Sequence, residues 1–331
     1  MIPYVTVDRR EKPSSLYVQD FGMHLTTSLD SSATAPSVFQ RPHLVLHFDI
    51  NETLLVGDEA GGDSKEDCLN KILAKSAFVR CPREQQDEPN GMESFEPTHW
   101  WNGQPIVNDA TDNISPPDLY TNWEWPPDCC PYYRTAFKKY SKTFTQHHGS
   151  VYQPIYESIR DIMAPRNDAF SLIIPSFFHT LQQLSQSYGS NWTLVLRTMG
   201  TDLANIADAI AQFAQGKHPD YPAFADERLA KSRLLKGRWV LDDRGTKGCS
   251  PDDDIVSGPF TYQLQDGETT IAKGDTEVLR VLHDPEYAVY GIQDDYPHWS
   301  RHNNEPWAGK PVWIPKSDDA PRLHVLFDDN M

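Results

Sequence analysis

The stretch His43-Leu-Val-Leu-His-Phe48 limits the fold more than any other. It is apolar nearly throughout, bounded by Pro42 and by a polar turn, and too short for a helix. Such a run suits a strand of a parallel sheet covered on both faces. A second run, Trp192–Leu196, follows a helical pattern over Pro175–Tyr188 with Phe177, Phe178, Leu181 and Leu184 on one face and Gly189 at its end. After it comes another helical pattern opened by Asp202, which reads as an N-cap, with Leu203, Ile206, Ala207, Ile210 and Phe213 inward. Helix, strand, helix around apolar strands predicts an α/β fold with a parallel sheet flanked by helices. Tyr287–Ile292 and Leu323–Phe327 add two strands, and Phe260–Gln265 with Thr269–Lys273 around Asp266-Gly267 read as a β-hairpin.

Between the first two strands the pattern changes. Ser64, with Asp67 three residues on, is a capping-box variant that opens a helix with Cys68, Leu69, Ile72 and Leu73 buried. From Cys81 to Pro131 nine prolines alternate with Trp100, Trp101, Trp123 and Trp125. So long an irregular stretch in a compact protein is functional or partly disordered, and the tryptophans favour packing. It reads as an insertion lying over something, with helical patterns returning at Tyr132–Gln146 and Gln153–Met163. Residues 1–41 are polar and read as a weakly ordered arm.

Charge excludes some functions. Thirty Lys and Arg against 47 Asp and Glu leave a net charge of −17, the wrong sign for a general nucleic-acid binder. No apolar run is long enough for a membrane helix, and the first residues lack a signal-peptide core, so the expected location is cytoplasmic. Five cysteines, none in a CxxC pattern, fit reduced thiols. Cys129-Cys130 near His147-His148 match no standard zinc spacing. Oligomeric state is not legible.

Three strands end in chemically distinctive residues: Asp49-Ile-Asn51-Glu-Thr53, Arg197-Thr198-Met-Gly200 and Asp328-Asp329-Asn330. Ligands of open α/β sheets gather beyond the carboxyl ends of strands. Singly, each acid is commonly a cap or turn residue; the ordered set suits phosphoryl transfer. An ionised aspartate can attack phosphorus and form an aspartyl-phosphate. A divalent cation would offset the charge repulsion, a hydroxyl on a glycine turn would hold the transferring oxygens, and a lysine would complete the balance.

The stretch Asp49-Ile-Asn51-Glu-Thr53-Leu-Leu resembles the first motif of the haloacid-dehalogenase-like (HAD) hydrolases, usually Asp-x-Asp-x-Thr/Val. Arg197-Thr198 resembles the second motif, Lys310 in Ala-Gly-Lys-Pro the third, and Phe327-Asp328-Asp329-Asn330 the fourth. The resemblance implies a HAD-like Rossmannoid core over 42–80 and 171–331, an inserted cap or lid over 81–170, and a further insertion around a 243–285 hairpin. It implies a Mg2+-dependent phosphohydrolase or phosphotransferase acting on a small phosphorylated molecule. Asp49 would be nucleophile and metal ligand, the Asn51 main-chain carbonyl a second ligand, and Asp328 with Asp329 the rest of the metal site. Thr198, with Gly200 and Arg197, would bind the phosphoryl oxygens, Arg197 alternatively pairing with an acidic neighbour. Lys310 would steady Asp49.

Two departures bear on this. The family's second aspartate, its acid/base, is Asn51 here, and asparagine cannot donate and retrieve a proton. A loss of about 10²–10⁴-fold follows unless another group substitutes; Glu52 is near in sequence, but its side chain is expected to point elsewhere. The alternative is a catalytically weak or inactive protein that binds a phosphorylated ligand or a protein partner. The chain also stops at Met331, just after the fourth motif, where family members continue, which implies a shortened form. A rival fourth motif is Asp294-Asp295, with lysine then from Lys273 or Lys236; that acidic pair reads otherwise as the start of a helix.

Overall fold

The computed structural model describes residues 42–57, 62–88, 90–107, 115–120, 125–163, 168–171, 173–241, 260–313 and 322–328. Five strands run parallel: β1 (His43–Asp49), β4 (Trp192–Thr198), β5 (Ser232–Leu241), β8 (Val289–Gln293) and β9 (Arg322–Phe327). They lie in the order β5-β8-β4-β1-β9. Strands β6 (Phe260–Asp266) and β7 (Thr269–Lys273) extend the β5 side antiparallel, which makes seven in all. The fold is α/β, a mostly parallel sheet flanked by helices.

The two faces of β1 are distinct, as the period of two requires. Leu44, Leu46 and Phe48 enter a core shared with Phe177, Phe178 and Leu181 of helix α5 (Pro175–Tyr188) and Ile206, Ile210 and Phe213 of α6 (Leu203–Ala214). Val45 enters the opposite core, with Val195, Tyr262, Leu264 and Ile292, closed by Val278 and Leu282 of α7 (Asp275–Leu282). Burial on both faces is why these strands are apolar without alternation. Gly189 ends α5 at φ +55°, its N–H bonded to Ser185 O at 3.2 Å.

A second core forms between β1 and α5. Helix α1 (Lys65–Ser76) begins with the expected capping box: Asp67 N–H donates to Ser64 Oγ at 3.1 Å, and Ser64 N–H to Asp67 Oδ2 at 2.9 Å. Its Cys68, Leu69 and Leu73 pack with Val79, Trp100, Tyr132, Phe144 and Tyr152. The α1 stripe, read from sequence as part of the sheet's core, thus belongs with the inserted residues, and this second core begins at Val56. Strands β2 (Phe78–Arg80) and β3 (Cys129–Pro131) form a small antiparallel pair there, beside short helices α2 (Arg83–Asp87) and α3 (Gly91–Ser94). The helical pattern at Tyr132–Gln146 proves to be 3₁₀ turns, whereas Gln153–Ile162 is α-helical (α4). Trp100 is buried; Trp123 lies outside the described residues.

The hairpin is no separate insertion. β6 and β7 continue the main sheet, because β5 gives them an edge to pair with. Gly237 in β5 permits this: a Cβ there would stand 1.7 Å from the Tyr262 hydroxyl. Residues 1–41, 242–259, with the acidic run Asp252–Asp254, and Asp329 lie outside the described residues. Among the described residues no helix is long and apolar enough to cross a membrane.

Candidate active site

The site forms at the carboxyl ends of β9, β1, β4 and β8. After β1 the chain turns tightly: Leu54 and Leu55 N–H both donate to Ile50 O at 2.8 Å, and Glu52 takes φ +60°. Ile50 and Leu54 are buried in the α5/α6 core. Anchoring Ile50 there leaves its neighbours Asp49 and Asn51 on the other side of the chain. Asp49 is 4% exposed, and Thr53 Oγ1 donates to its Oδ2 at 3.3 Å.

Lys310 comes from an irregular segment after β8. Its Nζ is ion-paired with Asp49 and stands 3.5 Å from Asp328 Oδ2. Burial opposes its charge, but Asp49 and then Asp328 outweigh this and hold the amine above its ordinary pKa. Two acidic side chains therefore converge on one positive centre. Hard carboxylate oxygens in such a pair are the donor type that magnesium takes. Asp49 and Asp328 are of the chemistry that a divalent cation takes; Asp329 lies outside the described residues.

Thr198 ends β4 fully buried. Gly200 N–H donates to its Oγ1 at 2.8 Å, and that hydroxyl donates to Asn51 Oδ1 at 2.9 Å. Asn51 Nδ2 donates in turn to Asp202 Oδ2 at 3.4 Å. The first and second strand ends are thus joined through the Asn51 amide. Gln293 Nε2 fixes the Gly200 carbonyl at 2.9 Å.

Arg197 goes elsewhere. One residue before Thr198, it projects from the opposite face of β4 and is fully buried. Its Nε and Nη2 donate to Asp294 at 2.9 and 2.6 Å, and its Nη1 to Pro311 O at 2.7 Å. The Tyr262 hydroxyl also donates to Asp294, and Trp313 stacks over the guanidinium at 5.4 Å. Of the two roles the sequence allowed Arg197, its geometry is the pairing one. The same contacts occupy Asp294, and Asp295 caps α8 (Tyr296–Arg301) by accepting from His298 N–H at 3.1 Å. Both acids of the rival motif are thus engaged by other groups, Asp295 also accepting from Trp239 N–H at 3.0 Å, and Lys236 and Lys273 are exposed.

Glu52 points away, as expected: Lys71 pairs with it, and Lys75 lies 3.1 Å away. Glu52, Asp63 and Cys68 make the one three-member grouping of metal-ligating types among the described residues. Lys71 at 2.7 Å and Lys142 neutralise Asp63, so the grouping is an ion-pair network. Cys129 and Cys130 are buried, burial pushes both thiols up, and His148 Nδ1 is hydrogen-bonded to the Tyr132 hydroxyl at 2.9 Å.

Sequence reasoning missed the Asn51–Asp202 contact, since an acid before a helix reads as a cap. Comparison with protein-family models, curated proteins and solved structures finds no match to this chain.

Proposed function

We propose that the protein is a magnesium-dependent phosphohydrolase or phosphotransferase of HAD-like type, acting on a small phosphorylated molecule through an aspartyl-phosphate at Asp49. The observation that carries the reading is the convergence of Asp49, Asp328 and Lys310, with Thr198 on the adjacent strand. Four residues picked from separate motifs occupy neighbouring strand ends and one loop, and that proximity supports the reading.

In this reading the Asp49 carboxylate attacks phosphorus while Lys310 steadies its charge and orientation. The Thr198 hydroxyl, which the Gly200 amide supports, would exchange its hydrogen bond to Asn51 Oδ1 for one to the transferring oxygens. Asp49, Asp328 and the Asn51 carbonyl would hold the magnesium, which offsets repulsion between carboxylate and phosphoryl group. The segment 56–163, with its own core, is the cap. Arg197 takes no part in binding the phosphoryl group.

Beryllofluoride, which mimics a phosphoryl group on aspartate, tests this without turnover. Binding that needs both magnesium and Asp49, and is lost in Asp49→Asn, supports the reading; binding unchanged in Asp49→Asn contradicts it. The Asn51 amide favours a second reading, a protein that binds phosphorylated ligands without turning them over. Turnover separates the two.

A further inference from the structure

Asp202 stands immediately before α6, where an aspartate ordinarily caps the helix. Its side chain makes no capping hydrogen bond. Its backbone, at φ −76° and ψ −9°, is already helical rather than in the extended form from which a capping oxygen reaches back to the first amides. The carboxylate turns to the strand ends instead, where Oδ2 accepts from Asn51 Nδ2 at 3.4 Å. A Cβ built on Gly200 would come within 3.0 Å of that oxygen, 3.4 Å of Thr198 Oγ1 and 3.8 Å of Asn51 Oδ1. Three polar side chains therefore ring the bare backbone of Gly200. The helix forgoes a side-chain cap, and the site gains a carboxyl group.

We propose that Asp202 is the proton-transfer group of this site, doing from the start of α6 what Asn51 cannot do from the end of β1. The proposal rests on the reading of Asp49 as nucleophile. It assigns the substrate class as phosphomonoesters whose leaving alcohol needs a proton, rather than only acyl phosphates and other activated compounds. In the first step Asp49 Oδ forms a bond to phosphorus, the bond from phosphorus to the leaving oxygen breaks, and that oxygen takes the Asp202 proton. In the second step Asp202 carboxylate takes a proton from water as the water oxygen bonds to phosphorus. The bond from phosphorus to Asp49 then breaks, which frees phosphate and regenerates both carboxyl groups. Asn51 is the positioning residue: held by Thr198 at Oδ1, it presents Nδ2–H to Asp202. An aspartate at 51 would set two carboxylates against each other, and one would have to stay protonated.

The test compares phenyl phosphate, a poorer leaving group, with p-nitrophenyl phosphate in the full chain. Asp202→Asn should lower kcat/KM on phenyl phosphate by about 10²-fold and on p-nitrophenyl phosphate by less than about tenfold. Asp202→Ser restores a good N-cap while removing the acid, so it should show the same leaving-group dependence in a helix at least as stable. Asn51→Asp combined with Asp202→Asn moves the carboxyl across the hydrogen bond and should recover most of the loss. Wild-type rates on both substrates in both single variants would overturn the role of Asp202 alone, if Asp49→Asn is inactive beside them. Absence of turnover in the wild-type protein would overturn this role together with the reading of Asp49.

Discussion

Lys310 Nζ rests against Asp49, 261 positions away in the chain, and stands 3.5 Å from Asp328. No regular element carries this lysine. Its neighbours are held instead: Trp239 Nε1 donates to Gly309 O at 3.2 Å, and Arg197 Nη1 to Pro311 O at 2.7 Å. Residues from β5 and β4 thus pin the segment on both sides of the lysine.

Removing that charge should cost catalysis more than substrate binding. Lys310→Met is expected to lower kcat on p-nitrophenyl phosphate by about 10²-fold, the scale for losing one fixed electrostatic contact, with a small change in KM. Steady-state kinetics check this; an unchanged kcat would show that Lys310 has no part in the reaction.

Arg197 and Asp294 form a fully buried ion pair. Breaking such a pair from one side strands a buried charge, so Arg197→Met should cost about 3–5 kcal/mol. The double change Arg197→Met with Asp294→Leu should cost much less than the sum of the single ones, as urea denaturation of all four proteins would show. Additive losses would mean that the pair is not coupled.

The sheet was legible where strands are buried on both faces, because an apolar run such as Leu194-Val-Leu196 has few other uses. β5 was not, since Arg233, Lys236 and Arg238 interrupt it and only Leu235 and Gly237 are buried. The strand-end acids Asp49 and Asp328 could be read because each follows such a run. The partition between Asp328 and Asp294 could not be decided, because both follow strands and only the position of Arg197 on the opposite face of β4 separates them. The role of Asp202 was hidden for a similar reason: a local rule explains an acid before a helix, and only the 3.4 Å contact with Asn51 contradicts it.

A chain of histidines should make the fold acid-sensitive. His324 accepts or donates at both ring nitrogens, to His47 at 3.1 Å and to His283 at 3.3 Å. Burial above all, aided by nearby positive groups such as Arg322, lowers His283 and His324 from 6.5 to about 4. Between those values the unfolded chain binds more protons than the folded one, so stability falls as pH drops from 6.5 toward 4. The urea midpoint should follow that slope, and His324→Asn should flatten it. An identical slope in the variant would assign the acid sensitivity to other groups.

The central claim is that Asp49 is a nucleophile. The most direct measurement is turnover of p-nitrophenyl phosphate and acetyl phosphate, with and without magnesium, by the wild-type protein and by Asp49→Asn purified in parallel. The account predicts magnesium-dependent release of phosphate that disappears in the variant. Equal turnover by both proteins, or none by the wild type with magnesium bound, would contradict it.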